Sequence, residues 1–232
     1  MKKRVAALWL LVFCLGIAFI LWDAIPSKDT SLSFTDQLKQ KLTFKIGLED
    51  EETKSLREFC RTKKIGYPPR GTRIIIDKSD FKMELYAGKT LLKTYPIALG
   101  RDHVAKKQVK GDLCTPEGEY YVCDRSQNPQ KKDLGARWLR LSYPNAEDAK
   151  RGLKSGIITR SIADSIINAV KNKEIPPQDS KLGGGIGIHG GWPKKLGLTV
   201  QNWTAGCVGM HDPDVVDLYE VVSIGTPVLI KK

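Results

Sequence analysis

The chain opens on an unbroken apolar run, Val5 to Trp22, with Lys2, Lys3 and Arg4 ahead of it. A run of this kind fits an N-terminal membrane anchor or a signal sequence. Trp22 suits a membrane interface and no clear small-residue cleavage site comes after it, which favours the anchor. The leading positive charges then place residue 23 onward outside the cytoplasm. Cys14, in mid-run behind Phe13, reads as membrane filler. The pattern next turns polar. Glu49–Lys64 reads as a charged helix with Leu56, Phe59 and Cys60 on one face, a spacer packing lightly on the domain C-terminal to it. Tyr67-Pro68-Pro69-Arg70-Gly71 breaks it. The expected organisation is a membrane segment at 1–22, a spacer at 23–71 and a folded domain at 72–232.

Within that domain, strand patterns dominate. Thr72–Lys78 and Lys82–Tyr86 are rich in β-branched and alternating apolar positions, with a turn at Ala87-Gly88-Lys89. Leu91–Leu99 continues as a strand whose Pro96 suits an edge or a bulge. Gly118–Asp124, Trp138–Ser142 and Gly225–Ile230 are further short strands, and Gly183–His189 is a glycine-rich approach to a strand end. One segment has clear helical spacing: Ile162, Ile166, Ile167 and Val170 recur within Ile157–Lys173, which Pro176-Pro177 stops. Asp214–Val222 is a shorter helix. The class is mainly β with inserted helices.

Composition adds a compartment and a charge. The formal net charge is +12, from 38 Lys+Arg against 26 Asp+Glu. The basic residues are scattered along an exported chain, so nucleic acid is not the expected partner. The excess fits general solvation or attraction to an anionic polymer or membrane surface. An oxidising compartment permits disulfides, which makes Cys114 and Cys123 candidate partners. The three histidines, His103, His189 and His211, lack metal-ligand spacing, so no metal or cofactor is expected.

Candidate chemistry gathers in the last third. Ile188-His189-Gly190-Gly191 is followed eighteen residues on by Thr204-Ala205-Gly206-Cys207-Val208-Gly209-Met210. A cysteine nucleophile needs a base, a group that orients the base, and N–H donors for the developing oxyanion. Glycine-rich turns supply such donors without steric conflict. Taken alone, a buried cysteine is more often a small hydrophobe, and a strand-end histidine a structural hydrogen-bonder. Trp192 and Trp203, with Tyr95 and Tyr143, fit either a groove lining or partly buried packing. His211 leads into a turn at Asp212-Pro213, and His103 sits in a lysine-rich loop.

The ordered blocks resemble a known family. IHGG, then TAGCVGM, then Asp212–Ile230 is similar to the L,D-transpeptidase family with its YkuD-type catalytic domain. Thr72–Gly100, Lys110-Gly111-Asp112 and Thr115–Tyr120 resemble its opening hairpin, loop and following strand, so the likeness covers residues 72–232. The resemblance implies a YkuD-type β-sandwich behind the N-terminal segment, at the bacterial cell envelope. It implies Cys207 as nucleophile, His189 as general acid/base, and the Gly190 carbonyl as the group that orients the imidazole. Gly206, Val208, Thr204 and Trp203 fall at substrate or oxyanion positions. The implied substrate is a peptidoglycan stem peptide, cleaved between an L-centre and D-alanine through a thioester that an amine resolves. Two positions depart from the family pattern. Ala205 stands where histidine is usual, leaving His189 as the motif's base. Gly209 stands where arginine or asparagine is usual, which opens the alternative of a hydrolase using water. A wall-binding module without turnover would have no need of the Cys207–His189 pair.

Overall fold

The computed structural model describes residues 55–127, 129, 132–193 and 202–232, which fall in one compact unit, Thr53–Lys232. Val5–Trp22 and Cys14 lie outside the described residues, as does the start of the Glu49–Lys64 helix. Among the described residues no helix is long and apolar enough to cross a membrane.

The alternating segments become strands because one face of each has a core to meet. These are β1 (Thr72–Asp77), β2 (Lys82–Ala87), β3 (Thr90–Pro96), β4 (Gly118–Gln127), β5 (Arg137–Leu141), β6 (Gly187–His189), β7 (Val208–Gly209) and β8 (Pro227–Lys231). They join in the order β3-β2-β1-β8-β4-β5-β6-β7. β1–β8 and β6–β7 are parallel, and every other pair is antiparallel. The expected sandwich therefore takes the form of one continuous mixed sheet, a half-barrel. Its bend has a local cause. The first residues of β4 pair with β8 and the later ones with β5, and a bulge between Val122 and Asp124 turns the strand from one partner to the other. Pro96 ends the edge strand β3, where its missing N–H leaves no ladder bond unmade.

The core fills the inner face with Ile74, Ile76, Met83, Leu85, Leu139, Leu141, Ile188 and Val208, all at most 1% exposed. Helix α1 (Leu56–Thr62) also enters this core. Leu56 and Cys60 are fully buried in it, tighter than the light packing its charges led us to expect. The charges lie on the opposite face, and the Leu56 N–H is held 3.2 Å from the Asp217 carboxylate.

Two helices form an insertion between β5 and β6. α3 (Arg160–Lys171) matches the expected apolar spacing. α2 (Ala146–Lys154) was not anticipated, because it is short and its buried face is made of Asp148, Ala149 and Gly152 with no large apolar residue among them. A reciprocal cap starts it: the Asn145 side chain accepts from the Asp148 N–H, and the Asp148 carboxylate accepts from the Asn145 N–H. Such a box is worth about 1 kcal/mol. α2 and α3 close on a second small cluster of Ala149, Ile158, Ala163, Ile166 and Leu182. The last helix, α4 (Asp212–Val221), packs beside β5 and β6.

Cys114 and Cys123 are buried free thiols, so the candidate disulfide is not formed. The Cys114 Sγ instead lies 3.2 Å from the Asp112 carbonyl.

Candidate active site

Two short parallel strands build the site. In β6 and β7, Ile188 is registered with Val208, and His189 with Gly209. Side chains alternate along a strand, so registered pairs alternate together. Ile188 and Val208 point into the core at 0% exposure. His189 and Gly209 therefore take the other face, and Cys207 stands in the bend immediately before β7. β5 widens the same face, with Trp138 registered to His189 and Arg140 to Gly187. Gly187 and Gly209 must be bare. A Cβ on Gly187 would lie 2.5 Å from the Trp138 ring, and one on Gly209 would lie 2.7 Å from the Trp203 indole. The two indoles occupy the space that side chains would have taken.

His189 is 3% exposed, and its Nδ1 sits 2.7 Å from the Gly190 carbonyl oxygen. A carbonyl only accepts, so Nδ1 carries the hydrogen and Nε2 keeps its lone pair in the neutral ring. Burial lowers the imidazole pKa below its ordinary 6.5, while the bond to Gly190 and the carboxylates of Asp133 and Asp212 oppose that shift. The Trp203 ring meets the imidazole edge-on with centroids 5.4 Å apart, and Trp138 lies 5.9 Å away.

Cys207 stands on a tight turn. The Thr204 hydroxyl donates to the Cys207 carbonyl at 2.7 Å and accepts the Gly206 N–H at 3.1 Å. Gly206 has φ +129°, and a Cβ there would lie 2.7 Å from the Cys114 carbonyl, so the turn needs glycine both for conformation and for space. The Cys207 side chain is partly accessible, with Sγ 3.4 Å from the Gly185 carbonyl. Burial raises its pKa above 9.0, while the Gly187 N–H and the charges of Lys107 and Arg140 act the other way. The two shifts run in opposite senses, one favouring a neutral imidazole and the other a neutral thiol. Burial thus disfavours charge on both groups, and no hydrogen bond joins them among the described residues.

The structure thus brings Cys207, His189, the Gly190 carbonyl, Gly206, Thr204 and Trp203 into one neighbourhood. The Val208 side chain faces the core, and only its backbone adjoins the site. Tyr95 and Tyr143 are fully buried packing residues, and the Tyr143 hydroxyl donates to the Leu182 carbonyl at 2.8 Å. Trp192 stacks on His211 at 4.2 Å, and His103 lies against Phe81 at 5.5 Å. Three neighbours were not singled out in the sequence: Trp138, Arg140 and Asp212. Trp138 and Arg140 come from a strand about fifty residues upstream of His189 and further still from Cys207. For Asp212 a local signal existed, since an acid followed by proline opens helices as well as turns. Among the described residues no group of three His, Cys, Asp or Glu side chains is placed to hold a metal ion.

The family model for the L,D-transpeptidase catalytic domain matches residues 71–230. A Bacillus subtilis protein provisionally named L,D-transpeptidase YkuD is 27% identical over 151 residues, covering 65% of this chain and 60% of that protein. Its Bacillus licheniformis counterpart is 28% identical over 159 residues, covering 68% of this chain and 64% of that protein. The chain thus matches less than two thirds of the length of these relatives. Among solved structures, the helical cell shape determining protein Pgp2 of Campylobacter jejuni is similar in fold. Its TM-score is 0.50 at 22% identity, over 70% of this chain and 48% of that one.

Proposed function

The chain belongs to the L,D-transpeptidase catalytic domain family, and from that premise we propose that it is a cysteine acyltransferase of peptidoglycan stem peptides. One observation carries the reading: the bend that carries Cys207 leads directly into the strand paired with that of His189, whose Nε2 is left basic by the Nδ1–H bond to Gly190. Cys207 is the nucleophile and His189 the general acid/base. The Sγ proton passes to His189 Nε2 as sulfur attacks the carbonyl between the L-centre and D-alanine. The Gly206 N–H is already given to Thr204, so the Cys207 N–H, which donates to no described residue, is the donor for the oxyanion. His189 then returns its proton to the departing D-alanine amine, and a thioester remains. An amine of a second stem attacks the thioester, losing a proton to His189 and releasing the sulfur. Thr204 holds the nucleophile's turn, Gly206 lets the substrate carbonyl approach, the Val208 backbone continues the floor, and Trp203 walls the site beside His189.

Burial disfavours the charged form of both groups, so in this reading proton transfer accompanies attack. The site of action in this reading is the cell envelope. Val5–Trp22 holds the domain at the membrane, and the excess of basic residues favours an anionic wall polymer.

A second reading has a specific observation in its favour. The Trp203 indole fills the space beside Gly209, so no polar side chain stands there to hold an acceptor amine. Water would then resolve the thioester, and the enzyme would be a hydrolase. Intact-mass analysis of the full chain with a disaccharide-tetrapeptide tests both. A thioester adduct with loss of D-alanine is expected, and should vanish in Cys207→Ala. Cross-linked dimers as products mark transfer, and free tripeptide acids mark hydrolysis. If the wild-type protein forms no adduct, the acyltransferase reading falls.

A further inference from the structure

Behind the imidazole lies a carboxylate that the proposed acyl-transfer scheme leaves unused. Asp212 is the first residue of α4, and the preceding His211 makes no side-chain cap. The Asp212 Oδ1 does not turn back onto its own helix. It accepts the Ala136 N–H at 2.8 Å and the Gly191 N–H at 3.0 Å. The second contact matters because the Gly191 N–H and the Gly190 C=O are two ends of one planar peptide group. The oxygen end of that group accepts from His189 Nδ1 at 2.7 Å. A continuous line therefore runs from Nδ1–H through the Gly190–Gly191 peptide to a carboxylate.

The glycines along this line leave no room for side chains, while Asp212 itself is solvent-exposed. A Cβ on Gly190 or on Gly135 would collide with Asp212 Oδ1, and a Cβ on Gly191 would lie 2.7 Å from the Asp133 carbonyl. The Gly190-Gly191 pair is thus required by the groups behind it, and not only by the approach of a substrate in front. We propose that Asp212 is a positioning residue for His189, acting through the Gly190–Gly191 peptide as the remote member of a Cys207–His189–Asp212 arrangement. The geometry gives it two effects. The carboxylate fixes the plane of the peptide whose oxygen selects the imidazole tautomer. Its charge also polarises the amide, which strengthens the carbonyl as an acceptor and supports the imidazolium that forms during proton transfer. The other groups facing the ring are the Asp133 carboxylate, which acts in the same sense, the Cys207 thiol, and the uncharged Trp138 and Trp203.

The catalytic consequence rests on His189 being the base, so the test reads the imidazole directly as well as turnover. Asp212→Asn keeps an oxygen able to accept both N–H groups and removes the charge. In the full chain with ¹⁵N-labelled histidine, the wild-type His189 should appear as the Nδ1–H tautomer. In Asp212→Asn its pKa should fall by about half a unit or more, with the melting temperature nearly unchanged. The acylation rate should fall about tenfold with little change in KM, and the acidic limb of its pH profile should move down with the imidazole. Asp212→Glu should restore part of the rate. An Asp212→Asn protein whose imidazole titration and tautomer match the wild type overturns the proposal, whatever its stability, because the carboxylate would then be a helix-end anchor alone. A shifted imidazole in a protein that forms no thioester would uphold the positioning role while the acyltransferase reading fails.

Discussion

Replacing Gly209 by alanine should destabilise the domain only while Trp203 is present. Gly209 is not in the left-handed region, so alanine is compatible with its backbone. Without a clash the substitution would stabilise by about 0.4–1 kcal/mol, because alanine has fewer unfolded conformations to lose. The obstacle is the indole. A Cβ at 209 would lie 2.7 Å from Trp203 Cζ2, 3.0 Å from Cε2 and 3.3 Å from Nε1. Carbon atoms rest at about 3.5–4.0 Å, so one side must move by roughly 1 Å. The backbone at 209 is held by a reciprocal pair, Ala98 N–H to the Gly209 carbonyl at 2.9 Å and Gly209 N–H to the Ala98 carbonyl at 2.8 Å. The ring must therefore give way, and overpacking of this kind costs about 1–3 kcal/mol. The net destabilisation is on the order of 1–2 kcal/mol, or a fall of about 2–4 °C in Tm per kcal/mol for a unit of this size. In a Trp203→Leu background the same change should be neutral or stabilising. Thermal unfolding of the four proteins in this double-mutant cycle measures the coupling, expected at about 1–3 kcal/mol. The displaced ring also packs on His189, so Gly209→Ala should slow acylation as well. A rise in Tm for the single variant, or equal shifts in both backgrounds, would refute the reasoning.

Titratable groups away from this pair give two further outcomes. Asp77 is held from 3.8 down to about 2, first by its bond to the Lys231 ammonium at 2.8 Å and also by the Ser79 hydroxyl and the Asp80 N–H, against the opposing effect of burial. The folded pKa lies below the unfolded one, so this stabilisation is present above about pH 4 and is lost as pH falls towards 2. Acid unfolding followed by circular dichroism should give Asp77→Asn a stability deficit at neutral pH that closes across that window, and a constant deficit would contradict it. The described thiols should separate by accessibility. Desolvation raises all four thiols, Cys123 to about 11, but Cys60, Cys114 and Cys123 are buried whereas Cys207 is partly accessible. Mass mapping after brief iodoacetamide treatment at pH 8 should find Cys207 modified first among these four, the others only after denaturation. Early labelling of Cys114 or Cys123, or a native disulfide between them, would contradict the packing.

The site's glycines make its rate and its stability inseparable. Gly187 and Gly209 are bare because indoles cover them, and Gly190 and Gly135 are bare because a carboxylate sits behind them. Each substitution there moves an aromatic wall or the orienting peptide before it touches any substrate. A rate loss at these positions is therefore interpretable only beside a melting curve.

Local pattern carried a good deal of this protein. Alternation along Thr72–Lys78, Lys82–Tyr86 and Trp138–Ser142 marked strands because a half-buried strand must place apolar residues on every second position. Helical spacing marked Ile157–Lys173 for the corresponding reason, and the His-Gly-Gly and Gly-Cys segments marked the candidate site. Three things required the tertiary structure. α2 was hidden because its stability comes from a cap and from docking on α3, and the face it buries is built of small or polar residues that give no apolar stripe. The single continuous sheet was hidden because β4 changes partners at a bulge, and pairing between distant strands leaves no trace in either strand's own pattern. The surroundings of His189 were hidden for the same reason. Trp138 arrives across β5 and Asp212 from the start of α4, and only sheet register and helix docking bring them to the imidazole. Sequence supplied the candidate pair; three-dimensional packing decided its burial, its walls and the carboxylate behind it.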